Sequence, residues 1–283
     1  MSRATRVLLA TLLVVGSVAG SAGAAGRWLL TPVDDGVITL LLLGSDAGPP
    51  RSGSPANGRA DAFHLLFVSE DRQHATFVNI ARDAYVPIPG RGNGKINSCL
   101  TGGPERCVAT VEQTFGVDVD HYLLTSMHAM ADAFEQFGGV DVHVDRPLTM
   151  GGPDIAAGDQ HLNGFQALTY ARDRKNRPRG DFDRSTAQAE LLALAHAEAV
   201  ADADLGSIAR SVAILSRHVI TDIPDAMLLR YGYAAMTLPP QNVANVTLPG
   251  RIGTAGAASV IWLGGEAAVL VADAADGRMA AAG

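Results

Sequence analysis

The run VITLLLLG, residues 37–44, constrains the fold more than any other part of the chain. It is uncharged, almost wholly aliphatic, of strand length, and stopped by a glycine. A strand that is apolar on consecutive positions has to be covered on both faces, so this one belongs at the centre of a sheet with further layers on each side. AFHLLFVS (62–69) and ATFVNIA (75–81) read as the next strands, joined by the polar turn EDRQH. VATVEQTFG (108–116) reads as a helix ending at glycine. SMHAMADAFEQFGG (126–139) is a clearer helix: Ser126 caps it, two glycines end it, and Met127, Met130, Ala131, Phe134 and Phe137 form a stripe read as core. VDVHV (140–144) alternates as a strand, NGFQALTYA (163–171) is a short helix capped by Asn163, and STAQAELLALAHAEAVADA (185–203) is a long one. Further strands are expected near VANVTLP and SVIWL. The fold class is α/β (α+β), a mixed central β-sheet flanked by helices, without an internal repeat.

The N-terminus sets the compartment. Arg3 and Arg6 precede an uncharged apolar and small-residue run from Val7 to Gly26. About 20 such residues span a bilayer, and the positive flank keeps residues 1–6 cytoplasmic, which exports the rest of the chain. Small residues at 22–25 also resemble a signal-peptidase site, so residues 7–26 are a transmembrane anchor or a signal peptide. Residues 27–36 form a juxtamembrane linker and 37–283 an extracytoplasmic domain. The expected location is the outer face of the cytoplasmic membrane, single-pass. Two cysteines, Cys99 and Cys107, flank the turn-rich LTGGPER, and in an exported chain they are expected to form a disulfide. They lack the companions of a zinc site.

Charge narrows the function. A net charge of −7 and a pI near 5.5 exclude a general nucleic-acid binder. Yet YARDRKNRPRGDFDR (170–184) concentrates Arg172, Arg174, Lys175, Arg177, Arg179 and Arg184 beside Asp173, Asp181 and Asp183. Only Lys95 and Lys175 are lysines; the arginine excess suits a GC-rich genome. Other charges fall at strand ends, where loops gather functional groups over a rigid sheet: Asp46 after the first strand, Arg59 and Asp61 before the second, Arg82 and Asp83 after the third.

In order along the chain, LLLGSD, RADAFHLLFV, IARDAYVPIPG, KIN, LNGFQALTYARDR and GDFDR followed by Gln188 resemble the LytR-CpsA-Psr family of cell-envelope glycopolymer transferases. The resemblance implies an N-terminal membrane anchor, a mixed sheet with a long apolar lipid pocket, and transfer of a glycan phosphate from a polyprenyl-pyrophosphate carrier to a peptidoglycan hydroxyl in cell-wall biogenesis. It also assigns residues. Arg59, Arg82, Arg172, Arg174, Arg184 and Gln188 would bind the pyrophosphate, and Asp46 and Asp61 would hold Mg2+. Catalysis would rest on Arg82, Asp83, Arg172 and Arg174.

The chemistry is consistent with these roles. Arginine forks bind phosphate oxygens bidentately and stay charged at every accessible pH. Magnesium needs one or two carboxylates besides water and phosphate oxygens. Arg172 and Arg174 would face one way from an extended segment. Arg184 and Gln188 would share a face if a helix starts near Arg184, close to backbone N–H groups that favour phosphate. Asp83 and Asp181 are the candidates for general base, with an ion pair to a neighbouring arginine as the expected role of each, and of Asp173 and Asp183.

Two positions depart from the family pattern: Ala62 stands where threonine commonly follows RxD, and Ala187 where arginine commonly precedes the glutamine. The reading is therefore an Mg-dependent glycopolymer–peptidoglycan phosphotransferase. The alternatives are a polyprenyl-pyrophosphate glycan pyrophosphohydrolase and a non-catalytic lipid-glycan binding protein. A serine nucleophile is weakly supported, since GSDAG places its serine one position early for GxSxG and no histidine partner is suggested.

Overall fold

The computed structural model describes residues 36–48, 54–149, 154–201 and 203–279. The apolar run forms β1 (Ile38–Ser45), followed by β2 (Ala60–Val68), β3 (Ala75–Asn79), a small hairpin of β4 (Tyr85–Ile88) and β5 (Gly92–Lys95), α1 (Pro104–Phe115), β6 (His121–Ser126) and α2 (Met127–Phe137). Next come a ribbon of β7 (Val140–Val144) and β8 (Gly158–Leu162), then α3 (Gly164–Arg172), the long α4 (Asp181–Ala201) and α5 (Leu205–His218). The chain continues through β9 (Val219–Thr221), α6 (Leu228–Thr237), β10 (Val243–Thr247), a hairpin of β11 (Gly250–Ala255) and β12 (Ala258–Leu263), and α7 (Gly265–Ala274).

The principal sheet has the order β10-β3-β2-β1-β6-β9, which puts β1 in its interior as the apolar run requires. Its pairing is mixed: β1 runs antiparallel to β2 and parallel to β6, and β10 runs parallel to β3. Because strand residues alternate between faces, β1 serves two layers. Leu41 and Leu43 join Phe63, Leu65 and Phe67 in the main core, beneath α1 and α7. Leu40 and Leu42 face the opposite layer, where α4 crosses the sheet. A second, smaller core joins the β7–β8 ribbon to α2, α3 and α4 through Phe134, Val142, Leu162, Tyr170 and Leu191.

Local signals are realised closely. The Ser126 hydroxyl accepts the amide of Ala129, capping α2, and Asn163 makes a reciprocal capping box with Gln166. Gly164 lets α3 approach α2: a Cβ there would lie 2.1 Å from the carbonyl oxygen of Ala131. Cys99 and Cys107 are joined by a disulfide that ties the 3-10 turn at 96–102 to α1.

Three expectations need correction. Helix α4 starts at Asp181, four residues before the expected start, because Gly180, at φ 57°, turns the chain into it. Its first turn therefore carries Asp181 and Asp183, which complement the helix dipole themselves. Arg172 closes α3 and is not part of an extended segment; only Asp173 after it is extended. The α2 stripe is not uniform core: Met127, Met130 and Phe134 line a cavity, while Phe137 is 39% exposed. The expected anchor or signal at 7–26 lies outside the described residues. Among the described residues no helix is long and apolar enough to cross a membrane.

Candidate active site

The carboxylates and arginines singled out at strand ends converge at the end of the sheet where β1 stops and β2 starts. A bulge at Gly44 and Ser45 shifts the register, so Ala62 pairs with Gly44 and Ala60 with Ser45, leaving Asp61 as the extra residue. Asp61 accepts a 2.6 Å hydrogen bond from Arg82 Nη1. Arg82 Nε then lies 3.8 Å from Asp181 at the start of α4 and 4.0 Å from Asp83. Asp181 in turn contacts the guanidinium of Arg184, whose side chain is almost fully buried. Four residues from three segments distant in sequence thus meet in one chain of alternating charge, Asp61–Arg82–Asp181–Arg184.

Burial and charge compete here. For Asp181, burial dominates and raises its carboxyl above the ordinary range, against the pull of Arg184 and Arg82. Burial likewise lowers the Arg184 guanidinium, with Asp181 opposing it. At Arg82 burial acts downward, but Asp61, Asp181 and Asp83 together outweigh it and hold the group above its usual value. Both oxygens of Asp181 are inaccessible. Asp83 is more open, with 24% of its side chain exposed and Oδ2 3.1 Å from Lys95 Nζ. Both general-base candidates are ion-paired, as expected; Asp183 pairs with Arg179 at 2.7 Å, whereas Asp173 accepts from Asn176 instead of an arginine.

The other arginines divide. Arg172 and Arg174 are exposed on either side of the buried Asp173 and make no ion pair among the described residues. Arg174 lies close enough to Asp181 and Arg184 to act on both electrostatically. Arg59 stands apart, paired with Asp46: its amide donates to Asp46 Oδ1 at 2.7 Å and its Nε lies 3.3 Å from Oδ2. Gln188 shares a helix face with Arg184 but points inward. It is 5% exposed, and its Nε2 donates to the carbonyl of Ala171, so it fixes the turn carrying Arg172.

Beneath this cluster an apolar cavity of about 220 Å³ opens between the sheet and the helices. Ala62, Ala171 and Gln188 form its wall next to the charged residues, and Leu42, Met130 and Leu192 line its depth. A second apolar cavity of about 160 Å³ lies under the same face of the sheet, between Leu40, Leu66 and Phe77 and the helices carrying His196 and Tyr231. The departure at Ala62 puts a methyl where the family pattern has a hydroxyl, directly on this wall.

Sequence reasoning missed two participants. Lys95 joins the cluster through Asp83; the KIN motif and the scarcity of lysine were the available signals. His64, a lone histidine inside an apolar strand, is 1% exposed and lines the cavity. Its Nδ1 donates to Asn79 Oδ1 at 2.8 Å, since the Asn79 amide nitrogen is itself committed to Asn245 and Thr247. Thr247 bonds the hydroxyl of Thr186 on α4. This buried network locks the first turns of α4, with Arg184 and Gln188, to β2, β3 and β10.

The matched model is that of the LytR_cpsA_psr family, over residues 24–274. The chain belongs to this family. Among curated relatives, it is 33% identical over 193 residues to a protein of Oceanobacillus iheyensis named polyisoprenyl-teichoic acid–peptidoglycan teichoic acid transferase TagU, covering 66% of this chain and 59% of that one. The chain therefore spans about three fifths of the length of that curated relative. A Streptococcus agalactiae protein of known structure superposes with a TM-score of 0.75 at 22% identity, over 84% of this chain and 86% of the other. The structure described as TagT bound to LIIa-WTA gives 0.70 at 24% identity, over 88% and 94%. These likenesses establish the mixed α+β fold of this LytR_cpsA_psr member.

Proposed function

We propose that the protein is a phosphotransferase that takes a glycopolymer phosphate from a polyprenyl-pyrophosphate carrier and places it on a hydroxyl of peptidoglycan. The observation that carries this reading is the apolar cavity opening directly beside the arginine cluster, with Ala62, Ala171 and Gln188 as the shared wall. An amphiphile with a diphosphate head and an aliphatic tail needs this adjacency, because its tail has to leave water within a few bonds of a dianion. The names of the curated relatives support the same substrate class.

Arg172 and Arg174, exposed and without ion-pair partners among the described residues, are the forks available to an incoming diphosphate. Arg82 and Arg184 are held in place by Asp61 and Asp181 and supply fixed positive charge beneath it. Fixed charge costs no reorganisation when the phosphoryl group is transferred. The acceptor hydroxyl attacks the glycan-side phosphorus, the bond to the bridging oxygen breaks, and polyprenyl phosphate leaves. Asp83, the more open of the two base candidates, takes the hydroxyl proton, and Lys95 beside it limits its charge.

The residues present fit a magnesium ion. Asp46 and Asp61 offer hard carboxylate oxygens, with 26% and 21% of their side chains exposed, at adjoining positions across the β1–β2 bulge. Gly58 lets its loop pack closely against the end of β1, for a Cβ there would lie 2.2 Å from Ser45 Oγ and 2.9 Å from Asp46 Oδ1. When bound, the metal would neutralise charge on the diphosphate and on the departing phosphate. An N-terminal anchor at 7–26 would hold the domain at the outer face of the membrane, where such a carrier resides.

The test is to incubate the protein with a synthetic polyprenyl-pyrophosphate glycan and Mg2+, with and without peptidoglycan fragments, and to follow products by mass spectrometry. Glycan phosphate joined to the acceptor is the expected result, with Arg174→Ala at least about a hundredfold slower and Asp46→Ala indifferent to Mg2+. Free glycan phosphate as the sole product, with acceptor present, would replace the transferase by a hydrolase. Unaltered substrate would leave a lipid-glycan binder.

A further inference from the structure

Helix α4 has a second lined face. Residues 188, 191 and 192 look into the apolar cavity, whereas Asp183, Thr186, Ala187 and Glu190 border an open cleft of about 540 Å³. Across it stand His143, Asp145 and Arg146 of the β7 end and Asn176, Arg177 and Pro178 of the arginine-rich segment. Past His143 and Glu190, which border both, it continues into a cleft of about 520 Å³ along Asp141, Asp159 and His161 of the ribbon. The result is a polar trench that begins at the segment carrying Arg174 and runs away from it on the side of α4 opposite the apolar cavity. Each half lies in the size range of small-ligand sites.

We propose that this trench is the acceptor subsite and takes a strand of N-acetylated amino sugars, presenting one hydroxyl to the arginine cluster. The proposal rests on the transferase reading above and adds where the acceptor lies. Donors and acceptors both line the walls, together with small apolar surfaces at Leu148, Pro178 and Ala187. Sugar rings need this mixture, since they offer hydroxyls at their edges and C–H groups on their faces. Ala187, the departure from the family pattern, contributes only a methyl and leaves the trench wide next to Thr186.

Charge selects the occupant. Asp145, Asp183 and Glu190 border one half, and Asp141 and Asp159 the other. The cations are mostly committed. Arg177 lies over the ring of Tyr170 at 4.6 Å and donates to the carbonyls of Asp173 and Tyr170, while His143 and His161 bond Asp159 and Asp141 at 2.6 and 2.7 Å. Arg146 has no ion-pair partner among the described residues. Asp183 is likewise paired with Arg179, and Asp159 and Asp141 with the histidines, so Asp145 and Glu190 stand against Arg146 and Arg177 with no excess of positive charge to draw in a polyanion, whereas an uncharged acetamido-sugar strand needs none. Glu190, hydrogen-bonded by the Tyr170 hydroxyl and raised by burial above the usual carboxyl range, is suited to accept from a sugar hydroxyl or acetamide N–H.

A β-1,4-linked N-acetylglucosamine hexamer and a poly(glycerol phosphate) of similar length are titrated into the full chain by calorimetry, and then into the Asp145→Ala/Arg146→Ala double variant. Both substituted side chains are exposed, so the fold is retained, which circular dichroism checks. The expected result is binding of the hexamer, weakened at least about tenfold in the variant, and no binding of the anionic polymer in the trench. In the transfer assay the same variant raises the acceptor KM about tenfold without raising the donor KM. Equal hexamer affinity in both proteins, or displacement of the hexamer by the anionic polymer, would overturn the assignment. If the wild-type chain fails to turn over any lipid-pyrophosphate donor, the transferase reading falls, while the titration still decides what the trench binds.

Discussion

Acid should loosen this protein through His64. The imidazole is buried against β3 and the cavity, and burial, opposed by its hydrogen bond to Asn79, lowers its pKa from 6.5 to about 4. In that interval the unfolded chain binds a proton that the folded chain refuses. The contribution is therefore fully present above pH 6.5 and is lost as the pH falls toward the folded value. The shift of 6.5 to about 4 corresponds to roughly 3 kcal/mol once both states are protonated, and to about 2 kcal/mol at pH 5. His64→Gln keeps an amide donor for Asn79 but does not titrate. Urea unfolding at several pH values between 7.5 and 4 should show the wild type losing about 2 kcal/mol more than the variant by pH 5. His196, also lowered by burial, and Asp181, raised by it, titrate in both proteins and cancel in the difference. Parallel loss of stability in the two would refute the burial argument for His64.

Three further outcomes are expected of the same structure. Arg184→Ala leaves Asp181 buried without its nearest cation and should cost roughly 3–5 kcal/mol, whereas exposed Arg174→Ala should stay within about 0.5 kcal/mol of the wild type; urea unfolding of both separates the buried structural arginine from the exposed one. Cys99→Ser/Cys107→Ser opens a loop with a sequence separation of 8, and should lower stability by about 2–3 kcal/mol, read from thermal unfolding under non-reducing conditions. On the ribbon, the hydrogen bonds that His143 and His161 donate to Asp159 and Asp141 raise the pKa of both imidazoles. These cross-strand pairs are complete below 6.5 and weaken as pH rises through the folded values; NMR titration of the imidazoles should show both above the free-histidine value.

The layered fold was legible because β1 announces itself by being apolar on consecutive positions, and caps such as Ser126 and Asn163 act locally. Boundaries failed where a glycine conformation decided them: Gly180 starts α4 ahead of its apolar pattern. Charges at strand ends and in the arginine-rich segment pointed to the site, and four of them form its ion-paired chain. Their division into structural and available arginines was not legible, because burial of Arg184 and exposure of Arg174 depend on what the sheet and α4 bring from distant segments. Gln188 shows the same limit: its spacing from Arg184 is right, yet tertiary contact with Ala171 turns its amide inward. A cavity, being missing volume, leaves no periodic trace, so the Met127–Phe134 stripe reads as core until the sheet is seen opposite it.

The central claim is that the arginine cluster and the apolar cavity form one site for an amphiphilic diphosphate. A crystal structure of the protein with a polyprenyl pyrophosphate tests it most directly. The account predicts the diphosphate between Arg172, Arg174 and the Arg82–Arg184 pair, with the first prenyl units passing Ala62 and Gln188 into the cavity lined by Leu42 and Leu192. A diphosphate bound elsewhere, or a head in place with its tail lying along the polar trench, would contradict it.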